Sequence, residues 1–177
     1  MKSLFKTIAA GIVLSVMFGC ATPAQTAFKA DMVTQTNITN LRETEATVFS
    51  SGQPSKEQIA LAAKAGIKHI INLRPASEQD WDEGSYVQSQ GIQYYNIPVA
   101  GIEDVTSDNA KSLRKLLDSF GKEPALVHCS SGNRVGALIT VAEHDINGRD
   151  TEAAIVEGRR WGLTKLEPAV RKKLLAE

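Results

Sequence analysis

Residues 126–136 read Leu126-Val127-His128-Cys129-Ser130-Ser131-Gly132-Asn133-Arg134-Val135-Gly136, and the order of residue types there decides the fold. Ala125 to His128 is short and almost wholly apolar, the pattern of a strand covered on both faces. From Arg134 to Ile146 the apolar spacing becomes helical, and Gly148 ends it. A loop therefore leaves a buried strand and runs straight into a helix. In open α/β sheets ligands gather at the carboxyl ends of the strands, and a loop entering a helix there aims several backbone N–H groups at one point. Such a point binds anions. Gly132 lets the backbone approach closely, and Asn133 tolerates a left-handed conformation, so a concave nest of amides can form. A cysteine at the base of the nest, Cys129, feels the helix N-terminus and the Arg134 charge, both of which favour thiolate over thiol. Arg134 adds a planar fork of donors suited to two oxygens of one oxyanion.

Outward from this stretch, strands and helices alternate. Thr47 to Ser50 reads as a short strand, Gly52 and Pro54 as a turn, and Ser55 with Gln58 three residues on as a capping box opening a helix that Gly66 stops. Lys68 to Leu73 is a β-branched strand, about Asp80 to Ser89 a helix ended by Gly91, and Gln93 to Val99 another strand. Ser107 to Phe120 is helical through Ala110, Leu113, Leu116, Leu117 and Phe120, with Gly121 as breaker. Helices over Thr151 to Trp161 and Leu166 to Ala176 complete the chain. The alternation predicts an α/β domain with a mostly parallel central sheet flanked by helices.

The 177 residues, 42% hydrophobic and 23% charged, have the composition of one ordinary globular domain. Twenty Lys and Arg balance twenty Asp and Glu, which excludes the basic surplus of an electrostatic nucleic-acid binder. Two cysteines make no disulfide scaffold, and no Cys/His spacing matches a zinc site, so neither a metal nor an organic cofactor is expected. At the start, Lys2 and Lys6 flank an apolar run from Ile8 to Phe18, too short to span a bilayer stably. Gly19 and Cys20 follow. Residues 1–19 read as a signal peptide, and Val16 to Cys20 resembles a bacterial lipoprotein box with Cys20 as the lipidated residue. The expectation is an exported, periplasmic protein, lipid-anchored through Cys20, with a soluble periplasmic or secreted form as the alternative. Residues 20–37 read as a polar tether and 38–177 as the folded domain. With Cys20 lipidated or removed, Cys129 is left as a lone thiol.

The residues His128-Cys129, Gly132 and Arg134, together with the Ser51-Gly52-Gln53-Pro54 turn and the Ile71-Asn72-Leu73-Arg74 strand end, resemble the cysteine-dependent phosphatase superfamily of the dual-specificity type. Among its branches the pattern is most similar to the bacterial phosphatase-like domain of beta-lactamase-hydrolase-like proteins, over about residues 45 to 162. The resemblance implies a dual-specificity-phosphatase-like fold and an enzyme that hydrolyses phosphate monoesters, of phosphotyrosine, phosphoserine or phosphothreonine among others, through a cysteinyl-phosphate. It makes Cys129 the nucleophile and Arg134 the oxyanion clamp, with Ser130, Ser131, Gly132 and Asn133 forming the phosphate cradle and His128 supporting it. The implied partner is a phosphorylated substrate, with no nucleic acid, and a membrane only through the lipid.

Two departures stand out. Four residues separate Cys129 from Arg134, whereas the phosphatase signature has five, so the ring is tighter. That length is similar to the rhodanese sulfurtransferases, whose loop cradles a persulfide, and a sulfurtransferase using a Cys129 persulfide is the enzymatic alternative. Val135 also stands where many such phosphatases carry a hydroxyl that stabilises the departing thiolate, which leaves a non-catalytic phosphate-binding module as a third reading. The general acid expected in the loop after the third strand falls on Asp104, with Glu103 second and Asp108 assigned to the first turn of the next helix.

Overall fold

The computed structural model describes residues 27–176. The signal segment, Cys20 and the first part of the tether lie outside the described residues. The elements run α1 (Ala30–Thr34), β1 (Arg42–Glu45), β2 (Val48–Ser51), α2 (Lys56–Ala65), β3 (His69–Asn72), α3 (Glu83–Ser89), β4 (Gln93–Asn96), α4 (Ser107–Phe120), β5 (Ala125–His128), α5 (Asn133–Asp145), α6 (Thr151–Arg160) and α7 (Glu167–Leu174), with single 3-10 turns at Ala76–Glu78 and Ile102–Asp104. The sheet order is β1-β2-β5-β3-β4. β2, β5, β3 and β4 pair in parallel and only β1 is antiparallel, so the alternation of elements gives the α/β architecture expected of it.

The central position of β5 follows from its composition. Ala125, Leu126, Val127 and His128 are all buried, and only a strand with neighbours on both edges and helices on both faces removes such a run from water. Leu126, Ile70 and Phe49 join one apolar cluster with Val33 of α1, Ile59 and Ala62 of α2 and Val87 of α3. Val127 and Ile71 join the other, with Leu113 of α4, Leu138 and Ile139 of α5, Ile155 of α6 and Val170 of α7. The local signals act as expected at α2: Ser55 and Gln58 form the capping box, and Gly66 closes the helix at φ 100°.

Two features depart from expectation. Part of the segment assigned to the tether is folded: Val33 of α1 is fully buried, and Phe28 meets Phe49 edge-on at 6.2 Å. Docking against α2 orders a sequence with no period of its own. The strand β1, Arg-Glu-Thr-Glu, buries only Thr44 and so carries no alternating apolar signal; it exists because the antiparallel turn returns it to β2.

α5 is buried from Arg134 to Glu143, because α6 crosses it closely. A methyl group added at Gly136 would lie 2.5 Å from the Gly158 carbonyl oxygen and closer still to the Leu163 nitrogen, both backbone atoms that have no rotamer to yield. Gly136→Ala is therefore expected to cost about 3 kcal/mol, roughly 6–12 °C in Tm, by calorimetry. An unchanged Tm would show that this crossing is loose. Among the described residues no helix is long and apolar enough to cross a membrane.

Candidate active site

β5 delivers Cys129 to the carboxyl edge of the sheet between two neighbours. The Cys129 N–H donates to the Ser51 carbonyl at 3.4 Å, and the Leu73 N–H donates to the His128 carbonyl at 2.8 Å. The chain then turns through Gly132 at φ 86°, a left-handed conformation that glycine adopts without strain, and enters α5. This turn brings the Gly132 N–H to 3.1 Å from Cys129 Sγ, a donor placed for a sulfur with negative charge. As first-turn residues, Asn133, Arg134 and Val135 present N–H groups that have no acceptor inside the helix. The cup is braced from outside. Gly52 bridges to Ser131, Gln53 N–H donates to the Ser130 carbonyl at 3.3 Å, and Asn40 Nδ2 donates to the Ser131 carbonyl at 3.1 Å.

The structure brings Cys129, Ser130, Ser131, Gly132 and Arg134 together and separates the roles within Asn133. Its side-chain oxygen accepts from Thr164 N–H at 2.8 Å, and from the Thr164 hydroxyl and Leu166 N–H, so the side chain staples the α6–α7 connection and only its amide faces the cup. Arg134 is buried, and its fork is fully used. One terminal nitrogen donates to the Val99 carbonyl at 2.6 Å and to Glu78 Oε1 at 2.8 Å, the other to Glu78 Oε2 at 2.7 Å and to Ser130 Oγ at 2.6 Å. Burial alone would push the guanidinium down. The Glu78 hydrogen bonds and the charges of Cys129 and Glu78 outweigh it and hold Arg134 above its ordinary value. The Arg134 hydrogen bond, working against partial burial and helped by the charges of Arg134 and Arg74, holds the Glu78 carboxyl below its ordinary range.

The segment carrying Asp104 borders the cup through the Val99 carbonyl, which Arg134 reaches at 2.6 Å. Asp104 Oδ2 accepts from the Ala100 N–H at 2.8 Å, closing its own loop, and among the described residues no hydrogen bond or ion pair joins it to Cys129 or Arg134. Glu103 lies with Lys172 and Lys173 of α7 along a separate groove. Asp108 sits in the first turn of α4, as expected. The carboxylate that touches the cradle is Glu78, from the 3-10 turn after β3.

Beneath the cup lies a buried polar cluster. Glu83 and His128 are almost wholly inaccessible, with His128 Nε2 2.7 Å from Glu83 Oε1, a contact too poorly aligned to count as a hydrogen bond. Glu83 Oε2 accepts from Gln53 Nε2 at 2.8 Å and Asn72 Nδ2 at 3.3 Å, and Arg74 Nη1 donates to Gln53 Oε1 at 2.5 Å. Gln53 and Asn72, singled out in the sequence as parts of two short motifs, thus converge on one buried carboxylate and fix the loops after β2 and β3 against β5. Glu83 itself carried no sequence signal, since a lone acid in a helix is ordinarily solvated. Among the described residues no His/Cys/Asp/Glu cluster is placed to hold a metal. A groove of about 420 Å³ lined by Gln53, Pro54, Ser55, Arg74, Trp81 and Ser130 opens beside the cup.

Known proteins resemble this chain in sequence and fold. A beta-lactamase hydrolase-like protein of Xylella fastidiosa is 33% identical over 104 residues, 56% of this chain and 23% of that protein, so the chain spans under a quarter of that relative's length. The core catalytic domain of the PP-IP phosphatase SIW14 from S. cerevisiae, in complex with citrate, has a TM-score of 0.61 at 19% identity, covering 78% of this chain and 85% of that one. TpbA of P. aeruginosa, in complex with phosphotyrosine, has a TM-score of 0.54 at 18% identity, covering 88% and 100% respectively. These two likenesses are of fold. The model of one family matches residues 23–165, taking in every strand and the whole cup, and by that match the chain belongs to the family described as DSP-PTPase phosphatase fused to NAD+ kinase.

Proposed function

We propose that the protein is a cysteine-dependent phosphatase of phosphate monoesters. The observation that carries this reading is the placement of Cys129 Sγ at the N-terminus of α5, with the Gly132 N–H at 3.1 Å and the Arg134 fork closing the same cup. In the first step the ionised sulfur attacks phosphorus, the S–P bond forms as the ester P–O bond breaks, and the leaving oxygen takes a proton from solvent water. Arg134 and the first-turn amides hold the phosphoryl oxygens, whose charge grows towards the transition state. Water then breaks the S–P bond, returning phosphate and the free sulfur. The groove along Arg74 and Trp81 suits the remainder of the ester. The four-residue ring supplies few donors beyond those of Gly132 and the first turn of α5. The apolar run before Cys20 supports an exported and lipid-tethered placement for this activity.

The test is para-nitrophenyl phosphate turnover, with acid quench and mass spectrometry of the peptide bearing Cys129, run beside thiosulfate with cyanide. A phosphate adduct on that peptide together with steady turnover is the expected result. A persulfide on Cys129 with cyanide-dependent thiocyanate, and no phosphate release, would instead assign sulfur transfer, which the short ring favours.

A further inference from the structure

Glu78 does at the cup what a substrate oxyanion would do. Its two oxygens meet the two terminal nitrogens of Arg134 at 2.8 and 2.7 Å, and Ser130 Oγ donates to Oε2 at 3.2 Å. This parallel, two-point contact is how a guanidinium grips two phosphoryl oxygens. The carboxylate is not walled in, for a third of the side chain is exposed. A second partner also waits beside it. Arg74 Nε lies 3.6 Å from Glu78 Oε2, is buried and makes no hydrogen bond, while another Arg74 nitrogen donates to the Glu78 carbonyl and pins the turn.

Resting on the phosphatase reading above, we propose that Glu78 is a built-in competitor for the oxyanion clamp and that it sets the specificity of the site for dianionic phosphoryl groups. A tethered carboxylate competes at a high effective concentration, in the millimolar range or above for a short connection. A monoanion with two free oxygens, such as a carboxylate or a phosphodiester, offers Arg134 nothing that Glu78 does not already supply. A monoester dianion brings a second charge and a third oxygen, which reach the Asn133 to Val135 amides and the positive end of α5, where Glu78 makes no contact. The displaced carboxylate then turns to Arg74 Nε, so neither charge is stranded.

Calorimetric titration with inorganic phosphate and with dimethyl phosphate, on the wild type, Glu78→Gln and Glu78→Ala, tests this. Glutamine keeps the size and one acceptor but loses the charge, and alanine removes the competitor altogether. Both variants are expected to bind phosphate about tenfold more tightly, to bind dimethyl phosphate where the wild type does not, and to show a lower KM for para-nitrophenyl phosphate. A residue that merely oriented Arg134 would move all three the other way. Phosphate binding that is present in the wild type but equal or weaker in both variants overturns the competitor and leaves the phosphatase reading standing. No phosphate binding by any of the three proteins overturns both.

Discussion

Hydrolysis of para-nitrophenyl phosphate by Cys129→Ser is expected to fall about ten-thousandfold or more, with Tm close to that of the parent protein. The size of the effect follows from what surrounds the sulfur. The Gly132 N–H lies 3.1 Å from Sγ and the Arg134 guanidinium is held above its ordinary value, so both groups are donors and neither can take a proton from a hydroxyl. The ring of His128, next in sequence, is buried beneath the cup with Nε2 2.7 Å from Glu83 Oε1, and among the described residues no hydrogen bond joins it to residue 129. A serine there has no base and remains protonated, so the nucleophile is lost while the cup is kept. The fold is spared because the exchange is nearly isosteric at a site inside the larger apolar cluster. Activity within tenfold of wild type would show that the reacting group lies elsewhere. Loss of activity accompanied by loss of the melting transition would show only that Cys129 packs.

How much of this was legible in the sequence depended on how local the cause was. The cup was legible because strand end, Cys129, Gly132 and Arg134 lie within ten residues, and each supplies its part through backbone geometry. The α2 capping box was legible for the same reason. α1 and β1 were not, since Val33 becomes apolar core only when it meets α2, and Thr44 is selected only by its partner strand. Glu78, the carboxylate bound to Arg134, is the instructive case. A search along the chain looks in the loop after β4 and finds Asp104, yet β4 is the edge strand and β3 is the one that pairs with β5. The loop after β3 therefore borders the cup, as does the segment after β4, whose Val99 carbonyl meets Arg134, and Glu78 stands 56 residues before Arg134 in the chain but within hydrogen-bond distance of it. Glu83 was hidden likewise, because its three polar neighbours Gln53, Asn72 and His128 come from three different strand ends. Strand order, which the sequence leaves open, decides which carboxylates matter.

That same geometry makes Arg134 the second sensitive position. Arg134→Lys keeps the charge and is expected to lower kcat/KM by about a hundred- to a thousandfold in the same assay. Arg134 serves three partners at once, the Val99 carbonyl, Ser130 Oγ and the two Glu78 oxygens, through nitrogens held in one plane. A lysine ammonium is a single point of charge on a flexible stem, and once it satisfies Val99 it no longer presents two parallel donors to a phosphoryl group. The loss should sit mainly in kcat if the fork grips the transition state better than the bound ester, and wild-type kcat/KM in the lysine variant would remove the clamp from the mechanism. The variant also separates the clamp from its competitor. With the fork gone, Glu78→Gln in the Arg134→Lys background should no longer tighten phosphate binding tenfold, because Glu78 competes only for what Arg134 offers. A full effect in the double variant would mean that Glu78 repels phosphate by its charge alone, wherever it rests.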